Sequence, residues 1–407
     1  SNIILQYKCI EQSDICLSIS GSKSISQRVL MINELAGFNN YINNLSNSND
    51  TVLLLNVLQS SNSTVNLFNS GTSLRFLIAL FAIKNSPINI TGDRYLFSRP
   101  IDLLLNYLNQ LGANIEKKGT VIKIKKSNLM GGELKLNLMK TSQFVTALLL
   151  IAPYLKNGLR LYLPNQVNSY SYINMTISMM KHCGVNVQAS NTKINVPESN
   201  YLQPYNFIES DWSSVSYIYA VFLFSNLHNL VLSSFITNSI QPDSKLVEFF
   251  THLGVVTDYD NYQIVLKKID HFIVPTLMHW DFNNTPDLFP TILTVCCGLG
   301  VELFATGLDT LPYKESDRII SMQKELVKFN TELIIDDNVK AHLVCHHLPQ
   351  KNETIVIDTH NDHRIALAFS TLVFLGFTLE IKNYEVINKS YPNFFNDLVK
   401  FGVLIRK

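Results

Sequence analysis

The feature that most restricts how this chain can fold is a sixfold internal repeat. A small or polar residue followed by an apolar run recurs at Ser22 (SKSISQRVLMI), Gly71 (GTSLRFLIALFA), Ser142 (SQFVTALLLIAPY), Ser213 (SSVSYIYAVFLF), Asp287 (DLFPTILTVCCG) and Asp362 (DHRIALAFSTLVFL). Successive starts are 49, 71, 71, 74 and 75 residues apart. Each run reads as a helix behind a polar cap. A second helix follows each one, beginning at Asp50, Arg99, Ser171, Asp243, Glu315 and Pro392. These are amphipathic, with apolar residues at i, i+3, i+4 and i+7, and usually end near a glycine. Alternating stretches at 121–125, 133–138, 158–163 and 354–358 read as strands. One such unit cannot bury a sheet alone, so the six should pack together, cap helices inside and amphipathic helices outside.

A chain of 407 residues suffices for two or three domains, each with its own core. Thirty-three Lys and Arg against 32 Asp and Glu leave a net charge of +1, so nothing global draws the protein to nucleic acid or an anionic membrane. The apolar runs from Phe144 to Pro153 and from Tyr217 to Phe224 fall short of the roughly 20 residues that span a bilayer. The first residues lack a basic region followed by a long apolar one, so no secretory signal is read and a cytoplasmic location is expected. Six cysteines without paired spacing read as reduced thiols. Cys345, His346 and His347 are consecutive and cannot easily point at one metal.

Chemistry concentrates at the helix starts. Lys23, Ser24 and Arg28 open the first cap helix, and Asn69 to Arg75 (NSGTSLR) the second, where Gly71 allows close approach to backbone. Arg99-Pro100 begins an outer helix, and Thr141-Ser142-Gln143 leads the third cap. Lys314 to Arg318 (KESDR) and Asn361 to Arg364 (NDHR) close the series. Ser or Asp at a helix start is an ordinary N-cap. Lys or Arg there opposes the helix dipole, and its recurrence asks for an anion nearby.

With these motifs the chain resembles the 5-enolpyruvylshikimate-3-phosphate (EPSP) synthase family, the 3-phosphoshikimate 1-carboxyvinyltransferases. GSKSISQR is similar to the family's GSKSxSxR, and NSGTSLR to its N-[AS]-G-T-x-x-R. The likeness continues in family order through SRPI, TSQF, SYSY, ESDWSS, PDLFP, KESDR, NDHR and NKSYP, from residue 20 to about 395. It implies an α/β fold of two similar domains, each of three βαβαββ-type repeats, an inside-out α/β barrel with the active site in the interdomain cleft. The first domain would comprise 1–20 plus 210–407 and the second 21–209. The sister enolpyruvyl transferase acting on UDP-N-acetylglucosamine usually works with a loop cysteine, and none lies between Asn85 and Arg99. A non-catalytic anion-binding homologue is the other alternative, and a fusion to further shikimate-pathway enzymes stays open.

The implied reaction moves the enolpyruvyl group of phosphoenolpyruvate to the 5-hydroxyl of shikimate 3-phosphate and releases phosphate. By resemblance, Lys23, Arg99, Arg318, Arg364 and Lys389 grip phosphoenolpyruvate, with Gly71 and Gln143 beside it. Ser24, Arg28, Thr141, Ser142, Gln143, Ser169, Tyr172, Asp287 and Lys314 hold shikimate 3-phosphate. Asp287 is the expected base, with Lys23 or Lys314 as proton relay, and Glu315 the acid toward the methylene carbon. Neither metal nor organic cofactor is implied, and a monomer is expected. Tyr217 and Phe224 read as core, Asp50 and Asp211 as structural or near the cleft, and His363 as a cap or a support for Arg364. In isolation, Asp317 and Arg318 read as a surface pair. The chain departs from the family pattern at Ser20 (usually proline), Thr141 (serine), Ser210 (the glycine of Glu-Gly-Asp) and Tyr170-Ser171 (Lys-Pro). It also departs at Thr310 (asparagine) and in Leu311-Pro312-Tyr313, which lacks a common arginine.

Overall fold

The computed structural model describes residues 1–9, 14–137, 141–165, 167–337, 339–351 and 353–407. Two compact units emerge, one of Ser1–Ser22, Asn47–Asn49 and Glu209–Lys407, the other of Lys23–Ser46 and Asp50–Ile208.

The first unit holds three four-stranded sheets of one design. In one of them Leu277–Asp281 runs parallel to Glu302–Thr306, which pairs antiparallel with Lys340–Cys345, which pairs antiparallel with Thr331–Asp337. A parallel pair cannot be closed by a hairpin, so a helix must cross over. The cap helices Trp212–Phe224, Phe289–Leu299 and His363–Ser370 supply that element. In a second sheet the leading strand is Asp14–Ser18, parallel to Asn229–Ser233, with Ile15 opposite Leu230 and Leu17 opposite Leu232. In the third, Asn2–Tyr7 lies between Thr378–Lys382 and Val403–Arg406. The N-terminal strands thus complete sheets whose other strands lie more than two hundred residues later in the sequence.

The second unit contains the cap helices Lys23–Ala36, Gly71–Ile83 and Gln143–Ile151, and two sheets of the same order. One runs Thr64–Asn66, Ile88–Thr91, Val121–Lys125, Asn114–Lys118, and the other Met130–Lys135, Lys156–Tyr162, Lys193–Val196, Gln188–Ala189. The repeat of Lys23–Ala36 and Asn49–Leu58 has no such sheet among the described residues. A parallel bridge between Asn43 and Phe207 stands in its place. The short 49-residue interval is therefore a repeat without its hairpin.

Burial follows the predicted division. Every residue from Trp212 to Phe222, and from Phe144 to Ile151, is buried. The second-type helix Asp102–Gln110 buries only Leu104, Leu105, Tyr107 and Leu108. Each buried Leu or Ile contributes about 1.5–3 kcal/mol, so the cap helices carry most of the core. The strand expected at 133–138 is shifted to Met130–Lys135, and Leu138 lies outside the described residues. Gly131 and Gly132 begin the pairing where backbones nearly touch; a Cβ on Gly131 would strike the carbonyls of Gly158 and Lys156.

Candidate active site

In the first unit, three helix starts bring carboxylates and cations into one network. Asp287 sits in the turn Pro286–Leu288 that leads into Phe289–Leu299. Arg318 is the first residue of Arg318–Leu326, and Arg364 the second of His363–Ser370. Asp287 Oδ1 accepts from Arg318 Nη1 at 2.8 Å and from Lys314 Nζ at 3.3 Å, and its Oδ2 accepts from Arg364 Nη2 at 2.8 Å. Glu315 Oε2 accepts from Arg318 Nη2 at 2.9 Å, and its Oε1 lies 3.5 Å from Lys389 Nζ. Asp362 Oδ2 accepts from Arg318 Nε at 2.8 Å, while its Oδ1 caps its own helix at Arg364 N, 3.0 Å away.

Burial sets the electrostatics. Loss of water alone would raise the Asp287 carboxyl, but Arg364, Lys314 and Arg318 outweigh it and hold the group well below the usual carboxylate range. The Lys314 ammonium is lowered by burial, against the pull of Asp287. Arg318 is 1 % exposed, so its charge rests on three carboxylates rather than on water. Such burial costs stability unless geometry compensates. Planar guanidinium forks meeting carboxylates from three directions supply that geometry.

Two further groups join this network. The Tyr217 hydroxyl accepts from Arg364 Nη1 at 3.2 Å. Asp243 is fully buried and accepts from Ser213 Oγ at 2.5 Å. Burial, with Asp287 beside it, pushes the Asp243 carboxyl up to about 7.

The second unit gathers the other expected residues around polar helix starts. Lys23 Nζ donates to Asp50 Oδ2 at 3.2 Å. Arg75 Nη1 donates to Gly71 O and Gln143 Oε1, each at 2.9 Å, and Arg75 Nη2 donates to Pro100 O at 2.7 Å. Gln143 Nε2 reaches Thr72 Oγ1 at 3.1 Å, and Gln143 N donates to Thr141 Oγ1 at 3.2 Å. The Arg99 guanidinium lies against Gly71, where a Cβ would stand 2.5 Å from its Nη1. Ser142 precedes Gln143–Ile151, and Ser169 precedes Tyr170–His182 with φ of +57°. Arg28 is 3 % exposed, its nitrogens bonded to Thr176, Ser24 O and Thr146, while Tyr172 lies within its electrostatic reach.

Several isolated readings change. Asp317 and Arg318 are not a surface pair: Asp317 caps Ile320 N at 3.2 Å, while the buried Arg318 turns to Asp287, Glu315 and Asp362. Asp287 provides no side-chain cap; its carboxylate is given to three cations. Tyr217 is core by burial yet bonds Arg364. Asp211 is structural, accepting from Ser213 N and Ser214 Oγ. Ser210, where the family pattern has glycine, lies with its hydroxyl 2.5 Å from Ile19 O and accepts from Ser234 N at 2.6 Å. All six cysteines are free. Among the described residues no group of His, Cys, Asp and Glu is placed to hold a metal ion.

Comparison with known proteins gives the family and the fold. The family model for EPSP synthase (3-phosphoshikimate 1-carboxyvinyltransferase) matches residues 56–398. A 3-phosphoshikimate 1-carboxyvinyltransferase of Bacteroides fragilis is 35 % identical, covering 96 % of each chain. A Buchnera aphidicola protein of that name is 29 % identical over 94 % of this chain and 93 % of its own. The solved EPSP synthase of Acinetobacter baumannii superposes with a TM-score of 0.77 over 100 % of both chains at 17 % identity. The enolpyruvyl transferase NikO of Streptomyces tendae gives 0.73 over 100 % and 98 % at 12 % identity, and both show the shared fold. From the family match and the near full-length relatives together, the chain belongs to the EPSP synthase family.

Proposed function

We propose that this protein transfers the enolpyruvyl group of phosphoenolpyruvate to the 5-hydroxyl of shikimate 3-phosphate and releases inorganic phosphate. The reading is carried by the network in which Asp287, Lys314, Glu315, Arg318, Arg364 and Lys389 meet, on a chain of this family. Its four cations, Lys314, Arg318, Arg364 and Lys389, converge on Asp287, Glu315 and Asp362, and an entering anion would compete with these carboxylates for them.

In the addition step the acceptor oxygen bonds to C2 of the donor, the hydroxyl proton leaves, and a proton joins the C3 methylene. In the elimination step the C2–O bond to phosphate breaks, C3 loses a proton and the double bond re-forms. Asp287 is assigned the base role. Held low by three cations, it is a weak base until the donor's phosphate and carboxylate share Arg318 and Arg364, which raises its basicity. Lys314, 3.3 Å from Asp287 and lowered by burial, suits a proton relay. Glu315, hydrogen-bonded to Arg318, is assigned the proton for C3. The guanidinium groups stabilise charge on the tetrahedral intermediate.

Lys23, Gly71, Arg99 and Gln143 complete the donor set in this reading, with Arg318, Arg364 and Lys389. Ser24, Arg28, Thr141, Ser142, Gln143, Ser169 and Tyr172 form the acceptor set with Asp287 and Lys314. The protein is read as a cytoplasmic monomer; among the described residues no helix is long and apolar enough to cross a membrane.

The direct test is phosphate release from phosphoenolpyruvate with shikimate 3-phosphate or UDP-N-acetylglucosamine as acceptor. Turnover with the first alone is expected. Turnover with the second alone would assign the sister activity, and none with either would leave an anion-binding homologue. A sharper test uses Gly71→Ala. The new Cβ would meet Arg99 Nη1 at 2.5 Å, the end of a side chain that can shift, and Arg75 Nη1 at 2.8 Å, which is buried and bonded to Gln143 Oε1. The fold should survive, and the donor KM should rise about tenfold, the value of one displaced hydrogen bond to a charged group. An unchanged donor KM would remove Arg99 from the donor set.

A further inference from the structure

The helix Arg318–Leu326 carries a second buried charge, Glu325, which is 1 % exposed. It lies seven residues after Arg318, about two turns along nearly the same face of the helix. Glu325 Oε2 accepts from Asp358 N at 3.1 Å and from Lys328 Nζ at 2.6 Å, and Oε1 lies 2.9 Å from His360 Nε2. Lys328 Nζ also donates to Val356 O at 2.9 Å. One helix therefore grips the segment ahead of His363–Ser370 twice: through Arg318 on Asp362 and through Glu325 on Asp358 and His360.

That segment needs holding. His360 and Asn361, with φ of +50° and +56°, are consecutive non-glycine residues in the left-handed region, immediately before Asp362. Each such residue costs about 1–2 kcal/mol and persists only where its surroundings impose it. The turn has bonds of its own, from His360 N to Asp358 Oδ1 and from Asp362 N to Thr359 O, each at 2.8 Å, and Asn383 Nδ2 donates to Asn361 Oδ1 at 2.7 Å. On the Glu325 side an open surface depression of about 660 Å³, lined by Lys324, Glu325, Lys328, Asp358, His360 and Lys382, lies beside the turn. The bonds of Glu325 to Asp358 N and His360 tie the turn to the helix Arg318–Leu326.

We propose that Glu325 is a positioning residue for donor binding. By fixing the turn 358–361 it sets where Asp362 holds Arg318 and the direction in which Arg364 leaves its helix. This rests on the reading of Arg318 and Arg364 as ligands of the donor anion. A residue that merely supports the fold would change the thermal midpoint and the fraction of active protein. A positioning residue changes the affinity of the protein that is folded.

The test compares Glu325→Ala, Glu325→Gln and His360→Ala with the parent protein, using phosphoenolpyruvate KM, kcat and inhibition by inorganic phosphate. Glu325→Ala should raise the donor KM and the phosphate inhibition constant about tenfold, with kcat within about threefold. Glu325→Gln should restore most of the affinity, because its amide oxygen still accepts from Asp358 N. If the alanine variant does not fold, Glu325→Gln and His360→Ala carry the test, with rises of about two- to threefold expected in each. Unchanged donor KM and phosphate inhibition in folded variants would overturn the inference whatever the thermal midpoint, as would a fall in kcat alone. If the parent protein neither turns over the donor nor binds phosphate, the functional reading itself fails and takes this inference with it.

Discussion

Asp287→Asn is expected to lower kcat by about a thousandfold, the middle of the range for a lost general base, while donor affinity holds or improves. The substitution removes the charge but keeps the shape. Arg318 keeps Glu315 and Asp362, and Arg364 keeps the Tyr217 hydroxyl, so the network survives with one more unbalanced cation for the donor. Stability should shift with pH in a defined direction. Asp287 is held low in the folded protein, so its contribution is complete above the unfolded carboxylate value of about 3.9 and disappears as pH falls through its lower folded value. The difference in thermal midpoint between parent and variant should therefore shrink below pH 4. Single-turnover kinetics and melting from pH 3 to 8 measure both. A kcat within tenfold of the parent would exclude Asp287 as the base.

Arg318→Ala should damage the fold as well as the site. It strips a cation from Asp287, Glu315 and the fully buried Asp362 together. Breaking a buried ion pair from one side costs about 3–5 kcal/mol, because the stranded charge keeps its desolvation penalty. In a unit of this size that lowers the melting temperature by roughly 10 °C. Donor saturation should be lost as well. Arg318→Lys should recover part of the stability and little of the donor affinity, since a point charge cannot reproduce a fork directed at three carboxylates. A melting temperature within 2 °C of the parent for the alanine variant would show that the carboxylates are satisfied elsewhere.

The repeat was legible because its two periods are local. Cap helices and amphipathic helices differ in how much of their circumference is apolar, and that difference is written in each segment. Even the missing hairpin left a trace in the 49-residue interval, although spacing alone could not say which part of the repeat was absent. Side-chain partners were harder. Asp317 and Arg318 are neighbours in sequence, but the turn into the helix sends one to cap Ile320 and the other inward. Asp362 reads as an N-cap and is one, yet its other oxygen holds an arginine 44 residues away. Tyr217 sits in an apolar run, and nothing local distinguishes its hydroxyl from that of Tyr219, which meets Thr257. Asp243 reads only as a helix start and Glu325 as one residue of an amphipathic helix, because acids near helix ends are ordinary and their burial depends on what packs over them. Motifs located the groups at the helix starts; tertiary geometry decided which carboxylate faces which cation.

The placement of Asp14–Ser18 beside Asn229–Ser233 has a consequence for how the polypeptide acquires its structure. The register joins residues more than two hundred positions apart, with the stretch from Lys23 to Ile208 between them almost wholly given to the other unit. Closing so long an unstructured loop costs about 4–5 kcal/mol of chain entropy beyond a constant. An intervening segment that has already folded removes most of that cost. The inserted unit is contiguous apart from Asn47–Asn49, so its contacts are nearer in sequence and should form first. The leading strand, though made early, must wait for its neighbour until that insertion is in place.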